Sequence, residues 1–159
     1  MRSLGWYNPG MRVAVGSDHA GFPLKEAVVR FLRQQNVDYK DFGAFSPDRV
    51  DYPDIGVQVA EAVVNGESDR GILVCGTGIG MSITANKVPG IRAALCKDAY
   101  CASMAREHND ANILCLGNRT TEEKTAFEIV RTFLATDFSG EERHAQRIRK
   151  ITEIERKGG

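Results

Sequence analysis

The sequence has no long apolar run, no excess of charge of either sign and no Cys-x-x-Cys pair. No stretch approaches the roughly 18 to 20 apolar residues that a membrane span needs, and residues 1–10 lack the apolar centre of a signal peptide. The 21 basic residues are balanced by 21 acidic ones, so no strongly basic surface is available for nucleic acid or anionic lipid. We therefore expect neither nucleic acid nor a membrane as a partner.

The four cysteines are scattered along the chain, and their spacing fits neither a zinc site nor a disulfide framework. Two of them, Cys96 and Cys115, lie in strand-like runs and are interpreted as small buried hydrophobic residues. This pattern predicts a protein of the reducing cytoplasm with no metal site.

Strand-like apolar runs alternate with helix-like stretches along the chain. The predicted strands are 12–16, 37–42, 72–75, 91–96 and 112–116, and the predicted helices are 23–35, 54–65, 80–87, 98–107, 121–135 and 141–157. Asp54 and Thr121 are interpreted as helix N-caps. The alternation predicts an α/β fold, a three-layer Rossmann-like sandwich with a five-stranded parallel sheet and an extended C-terminal helix. We assign residues 11–157 to one domain and expect 1–10 to be a flexible N-terminal extension outside the fold.

A glycine-rich loop, Gly76-Thr-Gly-Ile-Gly80, follows directly on Cys75 at the end of the third predicted strand. Glycines allow backbone N–H groups to approach a ligand closely, as in anion-binding turns. The loop lacks the Gly-Lys-Ser/Thr of nucleotide hydrolases and the glycine spacing of dinucleotide sites. A thiol beside backbone donors suits a base or nucleophile next to an oxyanion site, and N–H dipoles at a helix start would stabilise its thiolate. Thr77 either takes part or only satisfies backbone groups.

Further polar side chains fall near the ends of predicted strands. Ligands of parallel sheets bind beyond the carboxyl ends of the strands, and Asp18-His19 and Arg119 follow the first and fifth strands there. Asp18 is alternatively a helix cap, and Tyr52 offers a hydroxyl. The His108-Asn109 pair precedes its strand, so it belongs at the opposite end of the sheet. It is either a simple turn or part of a site completed by a second subunit.

The C-terminal stretch 141–157 is densely charged, with Arg143 and Arg147 four residues apart. Residues at this spacing share one helix face, where two guanidinium groups can clamp a phosphate. The alternatives are a solvated terminal helix and an arm laid across a partner subunit. Arginines, a histidine with a carboxylate, and a thiol over backbone donors together suit aldose–ketose isomerisation of a sugar phosphate.

Seven stretches in order along the chain resemble the type B ribose-5-phosphate isomerases, a family that also holds the galactose-6-phosphate isomerase subunits. They are Gly16-Ser-Asp-His-Ala-Gly21, Asp51-Tyr-Pro-Asp54, Cys75-Gly-Thr-Gly-Ile-Gly-Met-Ser82, Ala85-Asn-Lys87, Gly90-Ile-Arg-Ala93, Arg106-Glu-His-Asn-Asp-Ala-Asn112 and Arg143-His-Ala-Gln-Arg147. The resemblance covers nearly the whole chain. It implies interconversion of ribose 5-phosphate and ribulose 5-phosphate through a cis-enediolate, in the pentose phosphate pathway.

The resemblance also implies a role for each site residue. Cys75 would move the proton between C1 and C2 with help from Thr77, and Met81 stands near where some relatives carry a glutamate base instead. His108 with Asp18 would open the furanose ring. The substrate would be held by the backbone of Gly76, Gly78 and Gly80, by His19, Arg119, Arg143 and Arg147 at the phosphate, and by Asn109 and Tyr52 at sugar oxygens.

The family further implies a homodimer or dimer of dimers with shared active sites and with no metal or other cofactor. Galactose 6-phosphate and allose 6-phosphate are alternative substrates. A galactose-6-phosphate isomerase subunit would be expected to lack part of the site, and a sugar-phosphate-binding module without activity would be expected to lack Cys75 or His108. Both residues are present.

Overall fold

Five parallel strands form the centre of the fold in a computed structural model that describes residues 6–158. The strands are β1 (Arg12–Ser17), β2 (Asp38–Asp41), β3 (Arg70–Cys75), β4 (Ala93–Leu95) and β5 (Ile113–Gly117). Their order in the sheet is β2-β1-β3-β5-β4. The buried pattern of β1, β3 and β5 reflects strands that are covered on both faces. The predicted parallel sheet is confirmed.

Six helices accompany the sheet in the described residues: α1 (Phe22–Gln34), α2 (Tyr52–Val64), α3 (Ile79–Ala85), α4 (Ala99–Asn109), α5 (Glu123–Ala135) and α6 (Glu142–Gly158). Side chains of α1, α4 and α5 pack into one hydrophobic cluster, which includes Val28 and Phe133. Side chains of α2 and α3, among them Val59 and Met81, pack into a second cluster. The sheet separates the two clusters, which gives the predicted three layers with a terminal helix added.

Some predicted helix ends differ from those observed. Helix α2 begins at Tyr52 with a proline in its first turn, so Asp54 lies inside the helix and Asp51 takes the cap position. Glu122, not Thr121, occupies the cap position of α5. Helix α4 continues through Asn109 because Asp110, with φ +46°, provides the left-handed turn that ends it. His108 and Asn109 are therefore helical, which corrects the expectation of a loop.

The segment before β1 takes part in the fold from Trp6 onward. The Trp6 indole N–H donates to Gln35 Oε1 over 2.8 Å, and its ring stacks on Phe31 with centroids 6.0 Å apart. The Tyr7 hydroxyl donates to the carbonyl of Asn36 over 2.6 Å. We expected all of 1–10 to lie outside the fold, and this is wrong for Trp6 and Tyr7. Residues 1–5 lie outside the described part of the chain.

Candidate functional site

The carboxyl ends of β1 and β3 flank the point where the sheet topology reverses. From β1 the chain passes to β2 on one side, whereas β3 pairs with β1 on the other side. Such switch points form the ligand crevice of open α/β sheets. Asp18 follows β1 and Cys75 ends β3, and the backbone N–H of Asp18 donates to Val74 O over 3.3 Å. The topology thus places the predicted carboxylate and thiol side by side at this crevice.

The glycine loop wraps around the Cys75 thiol. Cys75 is only 4% exposed, and its Sγ accepts the backbone N–H of Gly78 over 3.2 Å. A negatively charged sulfur accepts such a bond more strongly than a neutral thiol does. Gly78 has φ +80°, and a Cβ there would lie 3.0 Å from the backbone carbonyl carbon of Leu116, so any other residue would be strained at this position. Thr77 is exposed, and its hydroxyl accepts the Ile79 N–H over 3.3 Å, which agrees with a backbone-satisfying role.

Asp18 and His19 are held in place by backbone groups. Asp18 is 6% exposed, and its Oδ1 accepts the Gly21 N–H over 2.9 Å, which fixes the turn that leads into α1. His19 Nδ1 lies 3.1 Å from the carbonyl oxygen and 3.2 Å from the nitrogen of Val50. This engagement of Nδ1 leaves Nε2 as the nitrogen that His19 offers to a ligand.

Arg119 and Tyr52 lie on opposite parts of the glycine loop. The Arg119 backbone N–H donates to Gly76 O over 2.9 Å, and a Cβ on Gly76 would lie 3.1 Å from the Arg119 guanidinium. A Cβ on Gly80 would lie 2.7 Å from the Tyr52 ring. The loop is therefore bordered by a cation on one side and by a phenol on the other. We call this set the carboxyl-edge group: Asp18, His19, Tyr52, Cys75, Gly76, Thr77, Gly78, Gly80 and Arg119.

A buried lysine that the sequence analysis did not select supports the end of β1. The Lys25 side chain is fully buried, and its Nζ donates to Asp41 Oδ2 over 2.7 Å. Asp41 Oδ1 accepts the Gly43 N–H, and Gly43 O accepts the Ser17 N–H over 2.6 Å. The sequence feature that could have identified Lys25 is its position on the otherwise apolar face of α1. This chain of bonds fixes the backbone immediately before Asp18.

The remaining predicted residues form a second set, the amino-edge group: His108, Asn109, Arg143 and Arg147. His108 lies in the last turn of α4, which leads into the amino end of β5. The Ser139 N–H donates to Glu107 O over 3.2 Å and brings the start of α6 alongside. The rings of His108 and His144 then stack, with centroids 4.1 Å apart and planes 15° apart. Arg143 and Arg147 flank this contact along α6.

The two groups lie at opposite ends of the sheet. Strand β3 runs from Arg70 to Cys75 and so spans about 16 Å at the usual rise per residue. Cys75 is at its carboxyl end, whereas His108 precedes the amino end of the neighbouring β5. The separation agrees with the expectation from the sequence, and one chain does not bring the two groups to one ligand.

The other cysteines and His144 titrate away from their ordinary ranges. Burial raises the pKa of Cys96 to about 12 and also raises the pKa of Cys115, so both remain neutral thiols, as expected of buried hydrophobic residues. Burial, His108 and Arg143 together lower the pKa of His144. The hydrogen bond from Arg143 lowers the pKa of Glu141. His144 was not selected from the sequence, although its place between two predicted phosphate ligands was a signal.

Residues 6–158 hold no group of three or more His, Cys, Asp or Glu side chains arranged to bind a metal ion. No helix in this part of the chain is both long and apolar enough to span a membrane. The absence of a cofactor stays a prediction.

The fold and the switch-point site place the chain in a known class. It belongs to the ribose/galactose isomerase family, whose family model matches residues 13–151. Among curated relatives, ribose-5-phosphate isomerase B of Escherichia coli is 46% identical, and the match covers 92% of this chain and 97% of that protein. A putative sugar phosphate isomerase of Bacillus subtilis is 49% identical over 92% of this chain and 99% of its own length.

Solved structures give the same result. Ribose-5-phosphate isomerase B of Clostridium thermocellum is 54% identical and matches with a TM-score of 0.92 over 94% of this chain and all of that one. The enzyme of Mycoplasma genitalium, solved with bound ribulose 5-phosphate, is 38% identical with a TM-score of 0.87 over 94% of this chain and 99% of that one.

Proposed function

We propose that the protein interconverts ribose 5-phosphate and ribulose 5-phosphate through a cis-enediolate. The observation that carries the proposal is the Cys75 thiol at the switch point, with its sulfur accepting a backbone N–H and with Arg119 against the same loop. Relatives that match over nearly their whole length bear the name ribose-5-phosphate isomerase B. We further propose a cytoplasmic enzyme of the pentose phosphate pathway that uses neither a metal nor another cofactor.

In the proposed reaction the furanose ring opens first. His108 donates a proton to the ring oxygen, and Asp18 accepts the proton of the anomeric hydroxyl, so the C1 aldehyde forms. The Cys75 thiolate then removes the proton from C2 and returns it to C1, while a hydroxyl proton moves from O2 to O1. Backbone N–H groups of the glycine loop and the Thr77 hydroxyl stabilise the enediolate oxygens between these two steps.

The proposed binding roles follow the positions of the side chains. The phosphate is held by His19 Nε2, Arg119, Arg143 and Arg147. Asn109 and Tyr52 contact the sugar oxygens. Arginine suits the phosphate because its planar donors match the oxygens in pairs.

We propose a two-fold dimer, alone or paired into a tetramer, that unites the carboxyl-edge group of one copy with the amino-edge group of another. Three large apolar side chains near the glycine loop are exposed in the single chain: Ile79 at 54%, Ile83 at 57% and Leu95 at 44%. Burial of such a patch against a second copy is favourable. Each dimer would then contain two equivalent complete sites.

The decisive experiment is an isomerase assay on ribose 5-phosphate with the purified protein, with galactose 6-phosphate and allose 6-phosphate as competing substrates. Cys75→Ala should lower kcat by orders of magnitude, and Cys101→Ala is the matched control because Cys101 is a part-exposed thiol outside both groups. Preference for a six-carbon phosphate would favour the alternative substrates. Binding of ribose 5-phosphate without turnover would favour a binding module.

A further inference from the structure

The proposed reaction uses His19 and His108 but leaves the third histidine, His144, without a role. Its side chain is only 4% exposed. Within residues 6–158 its Nε2 is buried without a hydrogen-bond partner. The nearest carboxylate oxygen, Oε2 of Glu141, is 3.9 Å away, which is beyond hydrogen-bond distance. A buried polar nitrogen without a partner is costly, so its presence in this position calls for a reason.

The contact that His144 does make is with His108. The two rings are nearly parallel, with a 4.1 Å separation of their centroids. His108 lies in the last turn of α4 and is half-buried. An aromatic ring stacked on a histidine restricts rotation about its χ2 angle, which decides where each ring nitrogen points.

We infer that His144 is a positioning residue that fixes the orientation of the His108 ring for opening of the substrate's furanose. The inference rests on the proposed role of His108. His144 itself moves no proton in this step. Its planar ring covers one face of His108 and leaves the ring edge, with its nitrogens, for the sugar.

The charges around the pair support this role. His144 is faced by His108 from α4, by Arg143 and Arg147 from its own helix, and by Glu141 directly before that helix. Burial and the nearby cations lower the pKa of His144, which keeps its ring neutral beside His108. A neutral ring in this place adds no positive charge beside the proton that His108 donates to the ring oxygen in the proposed reaction, whereas a second imidazolium would repel that proton.

The same helix carries the proposed phosphate ligands. His144 and Arg147 are three residues apart and so lie on adjacent positions of one face of α6. The position of Arg147 toward the phosphate and the position of His144 on His108 are therefore set by the same part of α6.

The test separates ring opening from proton transfer. Ribulose 5-phosphate cannot form a furanose, whereas ribose 5-phosphate is almost entirely cyclic. The forward rate from ribose 5-phosphate is measured as a function of enzyme concentration for the full chain. The variants are His144→Ala, which removes the stack, His144→Phe, which keeps a planar ring, and His108→Ala as the reference.

For the wild type and His144→Phe, the forward rate should rise in proportion to enzyme concentration. For His144→Ala and His108→Ala it should level off at the rate of spontaneous ring opening, which more enzyme cannot raise. The initial rate and KM with ribulose 5-phosphate should stay within about threefold of wild type for His144→Ala, because the proton-transfer machinery is intact.

Three results would overturn the inference while leaving the proposed function intact. The first is a forward rate of His144→Ala that stays proportional to enzyme concentration while that of His108→Ala levels off. The second is a forward rate that levels off for His144→Phe as well as for His144→Ala. The third is a raised KM of His144→Ala for ribulose 5-phosphate, matching that of Arg147→Ala, which would show a role only in holding α6. Proportional behaviour of His108→Ala would instead remove the proposed role of His108.

Discussion

The Arg119 guanidinium lies against the backbone of Gly76: a Cβ built on Gly76 would be 3.1 Å from Arg119 Nη1, and the backbone N–H of Arg119 donates to Gly76 O over 2.9 Å. The glycine therefore sets where the positive charge sits over the loop. This relationship gives a test of Arg119 as a phosphate ligand that leaves the arginine itself in place.

Gly76→Ala should raise KM for ribose 5-phosphate several-fold and change kcat less. The new methyl group displaces the far end of a flexible side chain, so the fold tolerates it while the phosphate contact weakens equally in ground and transition states. Steady-state kinetics measure the split, and Gly158→Ala, with open space around its Cβ, is the control. An unchanged KM would show that the Arg119 position does not matter for binding.

Cys75→Ala should lower kcat by roughly 10²- to 10⁴-fold with a modest change in KM, because the thiolate acts in the transition state. Loss of hydrogen exchange between C2 of the substrate and solvent should accompany the loss of turnover. Cys101→Ala should behave like wild type. Near-normal kcat of Cys75→Ala would refute the base assignment.

Arg147→Ala should raise KM for ribose 5-phosphate far more than it lowers kcat, and ribose without a phosphate should be a poor substrate of the wild type. The reason is that a phosphate remote from C1 and C2 is held equally before and during the reaction. Arg149→Ala is the matched control, since Arg149 pairs with Glu142 on the same helix. If KM of Arg147→Ala stays at the wild-type value, α6 is a solvated terminal helix and no clamp.

Mixing Cys75→Ala, which lacks the proposed base, with His108→Ala, which lacks the proposed ring-opening acid, should raise the rate with ribose 5-phosphate above that of either variant alone. Each mixed dimer would contain one site with both groups intact, so about half of the native activity per heterodimer is the ceiling set by two-fold symmetry. Differently tagged chains allow the heterodimer to be purified before the assay. A purified heterodimer without activity, or a fully active monomer, would contradict the shared site.

The free energy of unfolding should fall as the pH is lowered from about 7 to 5, and His144→Phe should weaken this fall. The pKa of His144 is lowered in the folded state from its ordinary value of 6.5. Below pH 6.5 the unfolded chain therefore binds more protons than the folded one. The contribution of His144 to the free energy of unfolding is fully present above this pH and is lost as the pH falls. Urea titrations at each pH measure the effect. An equal slope for His144→Phe would exclude His144 as the source.

The carboxylates with lowered pKa values contribute to the pH dependence of unfolding in a different pH range. The pKa values of Asp98 and Glu141 are lowered by hydrogen bonds from Cys101 and Arg143 respectively. A lowered carboxyl pKa contributes stability that is present above the ordinary value and lost only at more acid pH, below about 4.5. The two ranges are therefore separate.

The architecture could be predicted because strand and helix periods alternate clearly and because Cys75 and its glycines form a continuous motif. The opposite placement of His108 also followed from chain order alone, since position before or after a strand fixes its end in a parallel sheet. The ends of the helices were harder to predict. Pro53 sets the start of α2 earlier than predicted, and Asp110 lets α4 continue further than predicted. Both effects come from backbone preferences that the apolar pattern does not show.

His144, Lys25 and Trp6 escaped the sequence analysis for a different reason. Each gains its meaning from a residue distant in sequence or on another element: His108 for His144, Asp41 for Lys25, and Phe31 for Trp6. Local patterns report on neighbours along the chain, whereas these contacts arise only once the layers have packed.

Trp6 is the one tryptophan of the 159 residues, and its ring rests on α1 with the Arg131 guanidinium 5.7 Å from it. Intrinsic tryptophan emission from this protein is thus a reporter of a single contact, the docking of the segment before β1. Ligand titrations followed by tryptophan emission will show almost no change unless ligand binding is coupled to the docking of this segment. An unfolding curve from emission that coincides with one from circular dichroism would mean that this segment leaves together with the sheet and helices, as one cooperative unit.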